Sequence, residues 1–242
     1  MTEISIILLN RLANDPMNES LATLAPTENK EVIYVTPAAV RSVLSTPISP
    51  TILRLDYPRN MLDHEREADR LIGTKYATGR CLLYSDTLNL FTPWEIPNIT
   101  AMLTGTLCLA LRLHRPNGRE VDNTADLAAL SLNAMLRHPH LAAASLLRFP
   151  HGILRDAFNV VDIDELRMPP KFFAKCILAG MRADTFYRAD QSNDPVQDDD
   201  MLIQSHREAI HELLRQRGTR GGFTDFYRRR QEWKASMKAL RQ

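Results

Sequence analysis

His206 and His211, with Glu208 and Glu212, are the residues whose types could hold a metal or move a proton within one predicted helix. A zinc-binding helix places its two histidines four apart, so that both reach one ion from one face. A spacing of five turns them about 140° apart on a helix of 3.6 residues per turn. The pair therefore reads as solvated helix surface. His138-Pro139-His140 has no carboxylate or third ligand nearby in the chain and reads as a polar corner. His64, beside Asp63, Glu65 and Glu67, reads as the charged start of a helix, where acidic groups oppose the dipole. Asp194, Asp198, Asp199 and Asp200 lack the alternation and central glycine of a calcium loop and read as helix capping.

No glycine-rich phosphate loop and no serine elbow stands in the chain. The three cysteines, Cys81, Cys108 and Cys176, are widely spaced in apolar surroundings and read as buried, reduced thiols. No catalytic residue, metal or cofactor is assigned on this basis, and the expectation is a protein that is not an enzyme.

The C-terminal tail carries the clearest binding signal. Between Arg217 and Gln242 eight basic residues face two acidic ones, a net +6 in a chain whose total is +1. Gly218, Gly221 and Gly222 form a hinge before it. Phe223, Phe226 (or Tyr227), Trp233, Met237 and Leu240 fall at spacings that suit one apolar helix face, with Arg228, Arg229, Arg230, Lys234 and Lys238 on its flanks. Such a segment suits docking into a partner groove. Contact with nucleic acid through arginines and stacked aromatics is the second reading. A terminal helix packed on its own domain is the third.

These residues must be carried by a scaffold of 242 residues, long enough for a substantial core, with ordinary apolar and charged fractions of 44% and 24%. The periodicity predicts helices over 2–12, 37–44, 63–76, 99–113, 123–137, 139–147, 170–187, 201–217 and 223–240. A strand is predicted over 31–35, and an extended hairpin over 80–91 turning at Ser85-Asp86. The fold class expected is mainly α, a helical bundle core with a few short strands in the N-terminal half and a C-terminal extension. Three regions follow: a Pro-rich mixed region over 1–96, a helical bundle over 97–217, and the basic amphipathic tail over 218–242. The N-terminus has no signal-peptide pattern, and the longest apolar stretch, Ile99 to Leu111, is shorter than the ~20 residues of a membrane span. A soluble protein made in the cytoplasm, with no membrane partner, is expected.

The order of elements in the C-terminal half resembles the head–tail connector (tail adaptor) proteins of short-tailed bacteriophages. The matching pieces are Met168-Pro169, Phe172-Phe173, Ala183, Phe186-Tyr187-Arg188, Pro195-Val196, Asp198-Asp199-Asp200 and Glu208-Ala209, with Leu132-Asn133-Ala134-Met135-Leu136 before them. The resemblance implies a virion assembly protein at the head–tail junction. It would form a homo-oligomeric ring, a dodecamer in that family, with the portal protein and other tail proteins as partners and the tail docked on the portal. Contact with genomic DNA is a further implication. The second reading of function is a phage or plasmid nucleic-acid-binding protein that uses the basic aromatic tail.

Overall fold

The computed structural model describes residues 3–10, 29–38, 44–49, 52–58, 67–86, 91–92, 94–105, 107–113, 124–187 and 199–218. They build an α/β protein around one eight-stranded mixed sheet. The strands are β1 (Ile4–Leu9), β2 (Lys30–Ala38), β3 (Leu44–Ser49), β4 (Ile52–Pro58), β5 (Cys81–Asp86), β6 (Leu109–Leu113), β7 (His151–Leu154) and β8 (Ala183–Tyr187). The helices are α1 (Ala68–Tyr76), α2 (Glu95–Gly105), α3 (Thr124–Met135), α4 (Pro169–Leu178) and α5 (Asp199–Arg217). The strand order is β3-β4-β2-β1-β5-β7-β6-β8. β1, β2, β4, β5, β6 and β8 share one direction, while β3 and β7 run against it.

This architecture corrects the expectation of a mainly helical bundle. The 2–12 segment is not a helix. Ile4–Leu9 is buried on both faces between β2 and β5, so its Ile-Ser-Ile-Ile-Leu-Leu run is a parallel strand without polar alternation. The expected hairpin over 80–91 is instead the single strand β5, paired with β1 and β7 rather than with itself. The long helix over 99–113 divides into α2 and strand β6, and that over 170–187 into α4 and strand β8. Residues 36–38 extend β2, and only Pro139–Leu141 of the 139–147 helix forms a helical turn. The helices expected over 123–137 and 201–217, and the strand over 31–35, are present as α3, α5 and β2.

Side chains alternate along each strand and divide the core into two layers. Ile7, Leu9, Ile33, Val35, Leu82, Tyr84 and Ile153 pack with Ile72 of α1, Leu132 of α3, Phe172 and Phe173 of α4 and Leu213 of α5. Ile6, Leu8, Val32, Tyr34, Leu83 and Ala110 pack on the other face with Phe91, Ile96, Ile99 and Leu103 of α2 and its approach. Two glycines let helices come close to the sheet. A Cβ on Gly73 would sit 2.4 Å from Ile7 Cγ2, and one on Gly152 would sit 2.8 Å from Ile99 Cγ2.

Candidate active site at the carboxyl edge of the sheet

In an open sheet with parallel strands, ligands bind beyond the carboxyl ends, where neighbouring strands connect in opposite directions. Here that point lies between β1 and β5. β1 leads to β2 on one side, whereas β5 leads through α2 toward β6 on the other. The residues delivered there are polar and buried. Asn10 follows β1 directly, donates from its backbone N–H to Val35 O at 2.9 Å, and places its Nδ2 3.2 Å from Thr36 Oγ1. Asp86 ends β5 in register with Leu9 and is 6% exposed. Farther out, Asp56 of β4 is held by Arg54 at 3.0 Å.

Beyond β5 a connected set of side chains stiffens the same edge. Thr74 Oγ1 of α1 donates to Arg70 O at 2.6 Å, so the Tyr84 hydroxyl, 2.8 Å away, donates to Thr74. Burial pushes the Tyr84 phenol well above its ordinary range and keeps it protonated. The His151 ring stacks on Tyr84 at 4.9 Å and on Phe149 at 5.3 Å. Its Nδ1 lies 2.9 Å from Arg148 O, and because a carbonyl only accepts, Nδ1 carries a proton. Arg70 is fully buried. It is ion-paired with Glu67 at 2.6 Å, bonded to the carbonyls of Leu146 and Leu147, and stands 4.3 Å from the Phe149 ring centroid. Arg112 Nη1 donates to Phe149 O at 2.5 Å, and Arg148 is paired with Asp126. Two buried guanidiniums, Arg70 and Arg112, and the partly buried Arg148 thus fix the 145–151 segment that supplies His151.

Among the described residues no group of three His, Cys, Asp or Glu side chains could hold a metal ion by itself. Asp86 offers one carboxylate at the crevice. A hard divalent cation commonly takes one or two carboxylates together with phosphate oxygens and water. That donor set fits Asp86 acting with a bound diphosphate, and does not fit an all-protein cage.

The residues singled out from sequence fall elsewhere. His206 is buried in α5, with Nδ1 2.7 Å from Leu202 O and Nε2 3.1 Å from Ser145 Oγ, whereas His211 is exposed. Burial, first, and Arg148 hold the His206 pKa below its ordinary value. His138 and His140 lie 5.3 Å apart at the end of α3. Gly218 follows α5 with φ +81°. Gly221, Gly222, Phe223, Phe226, Tyr227, Arg228, Arg229, Arg230, Trp233, Lys234 and Met237 lie outside the described residues, as do His64, Asp194 and Asp198. Sequence periodicity places Asn10 within a helix over 2–12 and Asp86 at a hairpin turn, and gives Thr36 and His151 no chemical role. Their common signal is an apolar β-rich run that stops at a polar residue: Leu9 then Asn10, Val35 then Thr36, Tyr84 then Ser85-Asp86.

No family model and no curated protein matches the sequence. Solved structures do match the fold. Glucosyl-3-phosphoglycerate synthase from Mycobacterium tuberculosis, in a complex with Mn2+, UDP and phosphoglyceric acid, superimposes with a TM-score of 0.56. It has 16% identity over 93% of this chain and 80% of its own. Mannosyl-3-phosphoglycerate synthase from Rubrobacter xylanophilus gives a TM-score of 0.59 and 15% identity over 90% and 75%. The chain therefore shares the α/β fold of these synthases.

This finding overturns the phage head–tail connector resemblance, and with it the portal, tail-protein and ring partners. It equally overturns the nucleic-acid-binding reading and the expectation of a protein that is not an enzyme. Some of the pieces on which the resemblance rested were misassigned: Ala183 and Phe186-Tyr187 belong to strand β8 rather than to the Pro-started helix.

Proposed function

We propose that this protein is a glycosyltransferase that moves a sugar from a nucleoside diphosphate sugar to an acceptor hydroxyl. The observation that carries the reading is the row of buried polar residues at the carboxyl ends of β1, β2 and β5, where Asn10 is bonded to Thr36 and Asp86 ends β5 in register with Leu9. The fold is shared with structures that hold UDP-glucose and Mn2+. Asn10 and Thr36, on the β1–β2 side, bind the nucleotide, and Asp86 faces the diphosphate. The acceptor oxygen bonds to the anomeric carbon as the bond from that carbon to the β-phosphate oxygen breaks. The departing diphosphate takes the electron pair and the hydroxyl proton. A divalent cation, when bound at Asp86 and the diphosphate, supplies neutralisation of the leaving group's charge. The stack of Tyr84, His151 and Phe149 makes a rigid wall beside the reacting carbon.

The test is release of UDP from UDP-glucose in the presence of Mg2+ or Mn2+. Wild type is expected to release UDP, and Asp86→Asn to lose roughly 10²- to 10³-fold in rate with its melting temperature retained. Equal release by wild type and Asp86→Asn would remove Asp86 from the site.

A further inference from the structure

A second concave surface lies at the opposite, amino edge of the sheet. β7 runs against β5, so Leu154 stands opposite Cys81, the first residue of β5, and the chain continues from there into 155–167. α4 precedes β8, and β8 starts from the same edge because it runs parallel to β6. Between these segments is a cleft of about 370 Å³. Val160, Asp162, Lys175, Leu178, Ala179 and Gln216 line it. Val160 is 61% exposed, and with Leu178 and Ala179 it gives the cleft an apolar patch open to solvent. Glu165, also in the lining, is held by Lys175 at 2.6 Å and by Lys171 at 3.1 Å. Asp162 differs. Its carboxylate accepts the Asp164 N–H at 2.9 Å and is in no ion pair among the described residues.

The chain leaves α5 at the rim of this cleft. Gln216 is in the last turn of the helix, and Gly218, two positions on, has φ +81°. A left-handed residue at that place ends a helix and turns the chain off its axis. Residues 219–242 follow, outside the described residues. They hold seven basic and two acidic side chains, a net +5, so the first 218 residues carry −4 of the chain's +1. Phe223, Phe226 and Tyr227 come within the next nine positions, a span of at most roughly 30 Å of extended chain. The cleft offers what this segment carries: an apolar patch for an aromatic ring, and a carboxylate for a guanidinium.

We infer that residues 219–242 fold back and occupy this cleft. An aromatic ring of 223–227 covers Val160, Leu178 and Ala179, and Arg228, Arg229 or Arg230 pairs with Asp162. The segment is then a docked part of its own chain rather than an arm for another molecule. The inference stands independently of the glycosyltransferase reading, because the cleft and the Asn10, Thr36 and Asp86 row lie at opposite edges of the sheet.

The experiment is native-state trypsin cleavage of the full chain, followed by mass spectrometry at Lys234, a site that every variant keeps. Wild type is compared with Val160→Glu and Asp162→Arg, both at exposed positions, with melting temperature confirming that the fold is kept. Cleavage is expected to be roughly tenfold faster in Val160→Glu and severalfold faster in Asp162→Arg, because each releases the segment. The triple change Arg228→Glu, Arg229→Glu and Arg230→Glu is expected to speed cleavage alone, and to restore slow cleavage when combined with Asp162→Arg. Sedimentation is expected to show protection that does not depend on protein concentration. Equal cleavage rates in wild type, Val160→Glu and Asp162→Arg would overturn the inference. Protection that grows with protein concentration would overturn it too, by placing the segment on a second copy. UDP affinity is expected to be the same in all these variants. Failure of the wild type to bind UDP would sink the glycosyltransferase reading and leave this inference standing.

Discussion

The chemistry of the crevice is decided by single polar groups at strand ends. Asn10 is fixed through its backbone to Val35 and through its side chain to Thr36. Asn10→Ala is therefore expected to raise the KM for the nucleotide sugar roughly 5- to 30-fold, by roughly 1–2 kcal/mol of binding, with kcat little changed; steady-state kinetics on UDP-glucose checks this. Tyr84 acts differently, because its hydroxyl bonds only within the wall. Tyr84→Phe leaves Thr74 with its bond to Arg70 O and is expected to cost about 1 kcal/mol of stability, read by chemical denaturation. These residues were poorly legible in the sequence. Each lies next to an apolar run, and nothing local says that three distant runs pair in parallel and bring their polar ends together. The histidines and acidic runs stood out because they are clustered in sequence, yet His206 is buried against Ser145 and His211 is on the surface.

At the scale of elements, the two core layers set what each helix tolerates. Gly152→Ala would drive a methyl group into Ile99 and Leu103 of α2. Overpacking of this kind is expected to cost about 1–3 kcal/mol and to lower acceptor use as α2 shifts, measured by thermal melts and acceptor kinetics. α5 is docked through His206, whose neutral ring is held by Leu202 O and Ser145 between Arg148 and Asp126. Its folded-state pKa is depressed below 6.5, so the unfolded chain binds the proton more readily. Stability from this group is full above the unfolded value and is lost as pH falls through the folded one. Melting between about pH 7.5 and about pH 5.5 is expected to show a decline that flattens in His206→Gln. α3 and α5 could be read from periodicity because each buries one face. β1 could not: both of its faces are buried, and Ile4, Ile7 and Leu8 then fit a helical spacing as well as they fit a strand.

At the scale of the whole molecule, the proposed reading assigns the nucleotide to the β4-β2-β1 half of one sheet edge and places Asp86 at the border with the β5-β7-β6 half. The basic, aromatic C-terminal segment weighed heavily in the sequence reading. Asn10, Thr36 and Asp86 all precede Gly218, so removing 219–242 is expected to leave UDP affinity within about threefold, checked by calorimetry. The central claim is tested most directly by titrating nucleoside diphosphate sugars into the protein with Mg2+ or Mn2+, by calorimetry, for wild type and Asp86→Asn. Saturable binding of at least one such donor, weakened about tenfold or more in Asp86→Asn, is the predicted result. No binding of any donor across the panel by the folded wild-type protein would contradict the account.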